Sequence, residues 1–587
     1  TTSAEETPQA ATVTFTGTLA GAGGLKAVGG GVLDVSTATL SLTGALAVTE
    51  GTTVKLGAWR PQLDALEAGS TLSGIVPTTA EEIDGVVFAL GKEVVSAEGI
   101  TFSVEGWSAV EATIADGKLT VRNTTPSPIW KPTAENQAWS DLSLWSNTAA
   151  VPTSGAVLLD FRALTAPASV EIPAGTVFDS TTLQGEADAA CTLTVTLGEG
   201  ASLGTLGLSG NAVLPLAAVN VNTAGLTISE GYTLTLNVGT EDGALAAAIT
   251  GDGAFVKAGT GTLTLNAEVK PLGASTIAEG TVKFGSSTIG GTGSGSYTTG
   301  GNVRVKTGAT LDIAGVSDAW LNTVTLEQGA VYANSGSAVG TGKRQLKAVV
   351  LEGDASVSTA SEFGLVASGH AASALTLNGH TLTKTGAGTF WLDNTAVANG
   401  TLLVEEGTLK NSNTSTFAGG LTFSSETDDA FVLTGGTVSL DGALVKTGAG
   451  AMTFPGVISG NGALTVSAGK LTLTKANTRS KANTLVAAGA TLELSGEGRL
   501  YGTTYFSNGT VTIRGTLRTT NWVYNAAFGA LAHNTARTVI DGGRVVFTAD
   551  CGSPDVDSDR GFTITDKGAI FEVPEGVTYY KRSGSDA

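Results

Sequence analysis

GALVKTGAGAMTFPGVISGNGALTVSAGKLTL, residues 442–473, sets the reading of the whole chain because its frame returns at a fixed spacing. Lys446-Thr-Gly448-Ala-Gly450 opens it, alternating apolar and polar residues follow, glycines at 460 and 462 break the run, and Gly469-Lys-Leu restarts it. Lys257-Ala-Gly259-Thr-Gly261 leads in the same way to Gly280-Thr-Val, and Lys384-Thr-Gly386-Ala-Gly388 to Gly407-Thr-Leu. The interval from lysine to glycine is 280−257, 407−384 and 469−446, which is 23 each time. A looser copy starts at Lys26 and reaches Gly51 after 51−26 = 25 residues. Repetition at a short fixed period predicts stacked coils rather than several globular domains.

Working outward, the chain of 587 residues holds 81 glycines but only 14 prolines, and its glycines lack the three-residue period of collagen. Apolar residues at 41% against 14% charged exclude a disordered chain. Short alternating runs such as TLTVTLG at 192–198 and LTLNVG at 234–239 predict an all-β fold, and the lack of helical periodicity between them argues against βαβ units. Each coil has inward Leu, Val, Ile and Phe that are buried only when the next coil lies on top, so the array is stable where one repeat is not. Glycine allows positive φ and close stacking at the corners.

The organisation expected is solenoid coils over 1–58, an irregular β-rich segment over 59–126 with a turn at Asp116-Gly117, read either as a small insertion or as the irregular end of a solenoid, and a Trp-rich cap or linker over 127–161. Regular solenoid follows over 162–473, and solenoid with longer loops over 474–587. Trp130, Trp139 and Trp145 fall within sixteen residues and are expected to cover the apolar end of a stack. The uncovered first coil should expose unpaired backbone groups and an open apolar cross-section.

A net charge of −20 disfavours nucleic acid and anionic membranes as partners. No apolar run approaches the ~20 residues that cross a bilayer. The opening TTSAEETPQAA, without Met, is what an exported chain looks like after signal removal. Cys191 and Cys551 lie 551−191 = 360 residues apart. With ~4.8 Å between coils of roughly twenty residues they would be on the order of 80 Å apart, which speaks against pairing within one chain.

Catalytic chemistry has little support. The recurring K-x-G-x-G is not followed by a helix whose amides could cradle phosphate, and its lysine is expected to sit solvated at a corner. His370, His380 and His533 form no ligand pair for zinc, and Gly200-Ala-Ser202-Leu-Gly204 is a chance match to a nucleophile elbow because a strand-like run follows it. A β-helix lyase or hydrolase would gather carboxylates and basic residues on adjacent coils. Here Glu50, Glu199, Glu279 and Glu406 each stand one residue before a turn glycine, so the chain is not read as an enzyme. Asp555, Asp557, Asp559 and Asp566 occupy offsets 1, 3, 5 and 12 of a calcium loop, although Arg560 replaces its glycine; calcium is the one cofactor considered. Tyr501, Tyr505, Trp522 and Tyr524 are candidate glycan contacts.

The three repeat frames resemble the autotransporter-associated β-strand repeats of bacterial passenger domains and other large surface proteins, and WSDLSLWSN resembles the Trp-rich opening of many such exported proteins. The resemblance implies a right-handed parallel β-helix on the cell surface and brings no catalytic residues. The last strands lack the alternation and final aromatic of a membrane barrel. The expectation is an extracellular structural protein, a fibre or filament subunit assembling head-to-tail through open solenoid ends. The alternative is a monomeric adhesin that binds host or neighbouring-cell glycans.

Overall fold

A computed structural model describes residues 11–578 except 80–81, 83–84, 92–93, 95, 106, 108–109, 124–126, 149, 187–190, 217–224, 272, 286–301, 317–319, 338–344, 366–372, 412–414, 434–437, 476, 479–481, 497–499, 501–509, 520–537 and 551–561. The protein is a parallel β-solenoid whose chain divides into two compact units, one up to residue 212 and the other from 224 onward.

The first unit opens with a three-sided stack. One sheet runs through Thr12–Thr14, Val32–Asp34, Thr53–Gly57, Thr71–Ile75 and Thr101–Val104. A second pairs Thr18–Gly21 with Thr39–Leu42, and a third orders Leu25–Ala27, Leu46–Val48 and Leu63–Leu66. Parallel coils therefore reach Val104, well into the segment expected to be irregular. The longer excursion between Thr71–Ile75 and Thr101–Val104 carries the strand Gly85–Ala89, which joins Val110–Ala115 and Lys118–Asn123 in an antiparallel sheet. Asp116 and Gly117 close that hairpin at φ 50° and 71°, the positive values a two-residue loop needs to match strand twist. Val86, Phe88, Leu119 and Val121 drop from this sheet into the same core as Leu63 and Phe102.

A second stack begins with Ile129–Trp130, which pairs antiparallel with Trp145–Ser146 and parallel with Ser154–Asp160. It continues through Val177–Gln184 and Thr205–Ser209 on one face and through Ala168–Ile172 and Thr192–Leu197 on another.

The second unit is built of the repeat frames. In the quoted stretch the strands are Leu444–Thr447, Ala451–Phe454 and Val457–Ser459, and the next coil begins with Leu464–Val466. Three strands make a coil, with the Gly-x-Gly corner between the first two. Alternation settles the faces: Leu444, Met452, Phe454, Ile458 and Leu464 point inward, while Val445, Thr447, Thr453 and Val457 point out, where β-branched side chains suit the pleated surface. Leu444, Met452, Phe454, Ile458 and Leu464 are all buried. Each such side chain contributes about 1.5–3 kcal/mol once covered on both sides.

The corner needs two glycines for two reasons. Gly259, Gly386 and Gly448 hold φ of 82°, 75° and 71°. Gly261, Gly388 and Gly450 do not, but a Cβ on any of them would overlap the carbonyl oxygen of Glu241, Ser361 or Thr427 in the coil before.

Candidate functional site

The repeat lysines are not solvated. Lys257, Lys384 and Lys446 are 0%, 1% and 0% exposed, which corrects the expectation of a solvated corner residue. Each stands two residues after an inward Phe255, Leu382 or Leu444 and so shares that residue's face. Its ammonium bends back into the corner. Lys257 Nζ donates to the carbonyls of Gly259 at 2.5 Å, Gly261 at 2.6 Å and Glu279 at 2.8 Å. Lys384 Nζ donates to Thr385, Gly386 and Glu406, and Lys446 Nζ to Thr447 and Gly448.

These cages explain the spacing of 23. Lys257, Lys384 and Lys446 stand in register with Ile277, Val404 and Val466, one coil of 20 residues on (277−257, 404−384 and 466−446). Three residues further lies the next corner, where Glu279 and Glu406 present their backbone oxygens. A Cβ on Gly280 or Gly407 would collide with the ammonium, so glycine is required there. Burial pushes Lys257 and Lys384 down to about 8, against the raising influence of Glu279 and Asp242 on the first and Glu406 on the second. Burial lowers Lys446 as well, opposed by Glu426 and Asp428. Sequence held the signal for this placement: an apolar residue two positions before lysine puts the lysine inside. Lys26 directly follows Leu25, takes the opposite parity and is exposed.

The outer faces carry ion pairs that run from coil to coil. Arg304 bonds Glu327 at 2.7 Å and also Glu352, and Lys306 bonds Glu327 at 2.9 Å. Glu493 lies between Lys470 and Arg518, and Arg544 pairs with Glu572. Asp541 accepts from Thr565, Lys567 and Arg514, which together hold its carboxyl down at about 2.

The three predicted cap tryptophans come together. Trp139 lies 6.1 Å from Trp130, 4.7 Å edge-on from Trp145 and 5.9 Å from Phe178 by ring centroids. All three are buried, and Trp145 Nε1 donates to the Trp139 carbonyl at 2.9 Å. An indole inside such a cluster presents no open face on which a sugar could stack. Beside it, Lys131, Asp160, Arg162, Ala163 and Glu186 line an open depression. Burial raises the Asp160 carboxyl, but the Arg162 guanidinium, held at 2.8 Å on both carboxylate oxygens, outweighs it and leaves Asp160 below the usual range.

Of the calcium residues, Asp566 sits exposed in the turn after Thr563–Ile564, while Asp555, Asp557 and Asp559 lie outside the described residues. So do Tyr501, Tyr505, Trp522 and Tyr524, as well as Cys551, His370 and His533. Among the described residues no group of three or more His, Cys, Asp or Glu is placed to hold a metal ion. Cys191 is free and buried, its thiol donating to the Leu164 carbonyl at 3.0 Å. Ser202 is buried and its hydroxyl accepts from the Gly204 amide, so it does not stand on an exposed elbow. No described helix is long and apolar enough to cross a membrane.

The described apolar side chains left in water cluster at the first and last described coils. Among the described residues ten large hydrophobics are exposed, and seven of them are Val13, Phe15, Val28, Ile564, Ile570, Phe571 and Val573. No family model matches the chain, and no curated protein matches it in sequence.

Proposed function

We propose that this protein is an extracellular structural element, the building block of a fibre at the bacterial cell surface, and not an enzyme. One observation carries the reading: buried repeat lysines and the charged rows of the outer faces tie neighbouring coils together. The repeat lysines spend their protons on backbone oxygens, those of Lys257 and Lys384 reaching the next coil, and the charged rows join neighbouring coils on the outside. The resemblance of the three frames to autotransporter-associated repeats supports the same reading and supplies its location. Protease shaving of intact producing cells, followed by fractionation, tests it. Release of solenoid peptides from unbroken cells is expected. Retention of the whole chain in the cytoplasm would overturn the proposal.

A further inference from the structure

The antiparallel sheet of the first unit ends on a bare strand. Gly85–Ala89 lies at one side of it, Lys118–Asn123 in the middle and Val110–Ala115 at the other side. The first side runs on into the coils, where Leu90 bridges Leu63 and Gly91 donates to the Leu63 carbonyl. Among the described residues Val110–Ala115 has a strand partner on one flank only.

The ladder decides which backbone groups this strand leaves open. A two-residue loop closes on a pair that exchanges both hydrogen bonds, so Ala115 and Lys118 bond in that way, and by alternation so do Thr113 with Thr120 and Glu111 with Arg122. The Leu90 amide donates to the Gly117 carbonyl, which fits the same phase: odd-numbered residues after the turn face Gly85–Ala89. Val110, Ala112 and Ile114 therefore turn their N–H and C=O groups away from the sheet. Their side chains lie on the core side and are only half-buried, whereas Leu119 and Val121 in the middle strand are 0% exposed. Unpaired backbone and uncovered apolar surface thus share one edge. Lysine, proline or a bulge commonly blunts such an edge. VEATIA at 110–115 has none of them, and its one charge is Glu111.

We infer that Val110–Ala115 pairs antiparallel with the same strand of a second copy, about a two-fold axis through Ala112. In that register Ala112 faces Ala112 of the second copy and Val110 faces Ile114 of the second copy. Every outward N–H then meets an outward C=O, and the half-buried side chains cover one another. Glu111 faces Thr113 of the second copy instead of another carboxylate. A shift of two residues one way sets Glu111 against Glu111, and the other way leaves Val110 unpaired. An extended peptide would need this pattern in its own sequence, whereas a second copy supplies it by symmetry. The contact is isologous and closes, so assembly stops at a dimer. It goes beyond the structural role proposed above and can fail without it.

The experiment follows the 587-residue chain by sedimentation over a concentration series, beside Ala112→Pro, Thr113→Lys and Thr113→Glu. The Ala112 N–H is on the open flank, so proline there removes no bond of the folded sheet, and Thr113 is exposed. Circular dichroism and melting of the variants should match the parent. The parent should pass from monomer to dimer and no further. Ala112→Pro should stay monomeric where the parent is dimeric. Thr113→Lys should tighten the dimer and Thr113→Glu should loosen it, each roughly 2–30-fold in Kd, because the two-fold axis counts every cross-strand charge pair twice. A parent that is monomeric at every concentration overturns the inference, including one that takes up an extended peptide instead. So does a dimer that Ala112→Pro leaves intact, or one that both Thr113 substitutions shift in the same direction. A dimer of this kind in a protein confined to the cytoplasm would overturn the structural role and leave this inference standing. A monomer shaved from the cell surface would do the reverse.

Discussion

The coils at Lys446 and Lys26 carry nearly the same letters and use them in opposite ways. Leu444-Val-Lys446 sets lysine two residues after an inward leucine, and the ammonium is enclosed by corner carbonyls. Leu25-Lys26 sets it one residue after, and the ammonium is in water. A shift of one position in a period-two pattern moves a charge from the outside of a stack to its interior. The difference teaches that glycines and lysine alone do not make the repeat unit; parity with the preceding apolar residue does.

Four measurements can break or sharpen this contrast. The largest effect is expected from Gly450→Ala, whose Cβ would overlap the Thr427 backbone. It should cost about 3 kcal/mol of local stability, read as lost amide-exchange protection over 444–473. Gly29→Ala has open space around it and meets only the strain of φ 95°, at about 1 kcal/mol. Equal losses at the two sites would erase the distinction.

Next comes Lys446→Met, which keeps the chain's bulk but leaves the Thr447 and Gly448 carbonyls without their donor, at about 1–3 kcal/mol. Proton linkage gives a third test with a definite sign. Lys257 and Lys384 titrate near 8 in the folded protein against an ordinary value of 10.5, so between those pH values the unfolded chain binds more protons. Stability should therefore rise with pH from about 8 to about 10.5 and level off on either side, by at most about 1.4 kcal/mol per pH unit for each lysine. Denaturant midpoints followed across that window should lose part of their slope in Lys257→Met. A slope unchanged by that substitution would mean that the cage holds its proton as water does. The smallest effect is at Lys26→Met, expected within about 0.5 kcal/mol and with no change in the pH profile.

Much of the fold could be read from residues 442–473, since strand alternation and corner glycines are local properties. The turn at Asp116-Gly117 follows from such local signals, whereas the number of strands per coil does not, because it depends on how successive corners stack. The site at the corners was less legible. K-x-G-x-G looks like a solvated turn when scanned as a motif, because an isolated lysine is normally exposed. Its burial depends on Glu279 and Glu406, whose backbone oxygens arrive 22 residues later and have no side-chain signature. The tryptophan cluster was visible from crowding alone, but its packing around Phe178 depends on a coil more than thirty residues downstream.

The lysine cage also bears on how such a chain can change in length over generations. Because Lys257, Lys384 and Lys446 share one sequence frame, unequal exchange between copies of the gene can join the first half of one frame to the second half of another. Such a crossover removes or adds whole coils and still leaves lysine 23 residues ahead of its glycine, with the ammonium meeting the carbonyls it needs. A single-residue insertion inside the frame would instead strand that charge. Length variants of this protein should therefore differ by complete coils between intact corners.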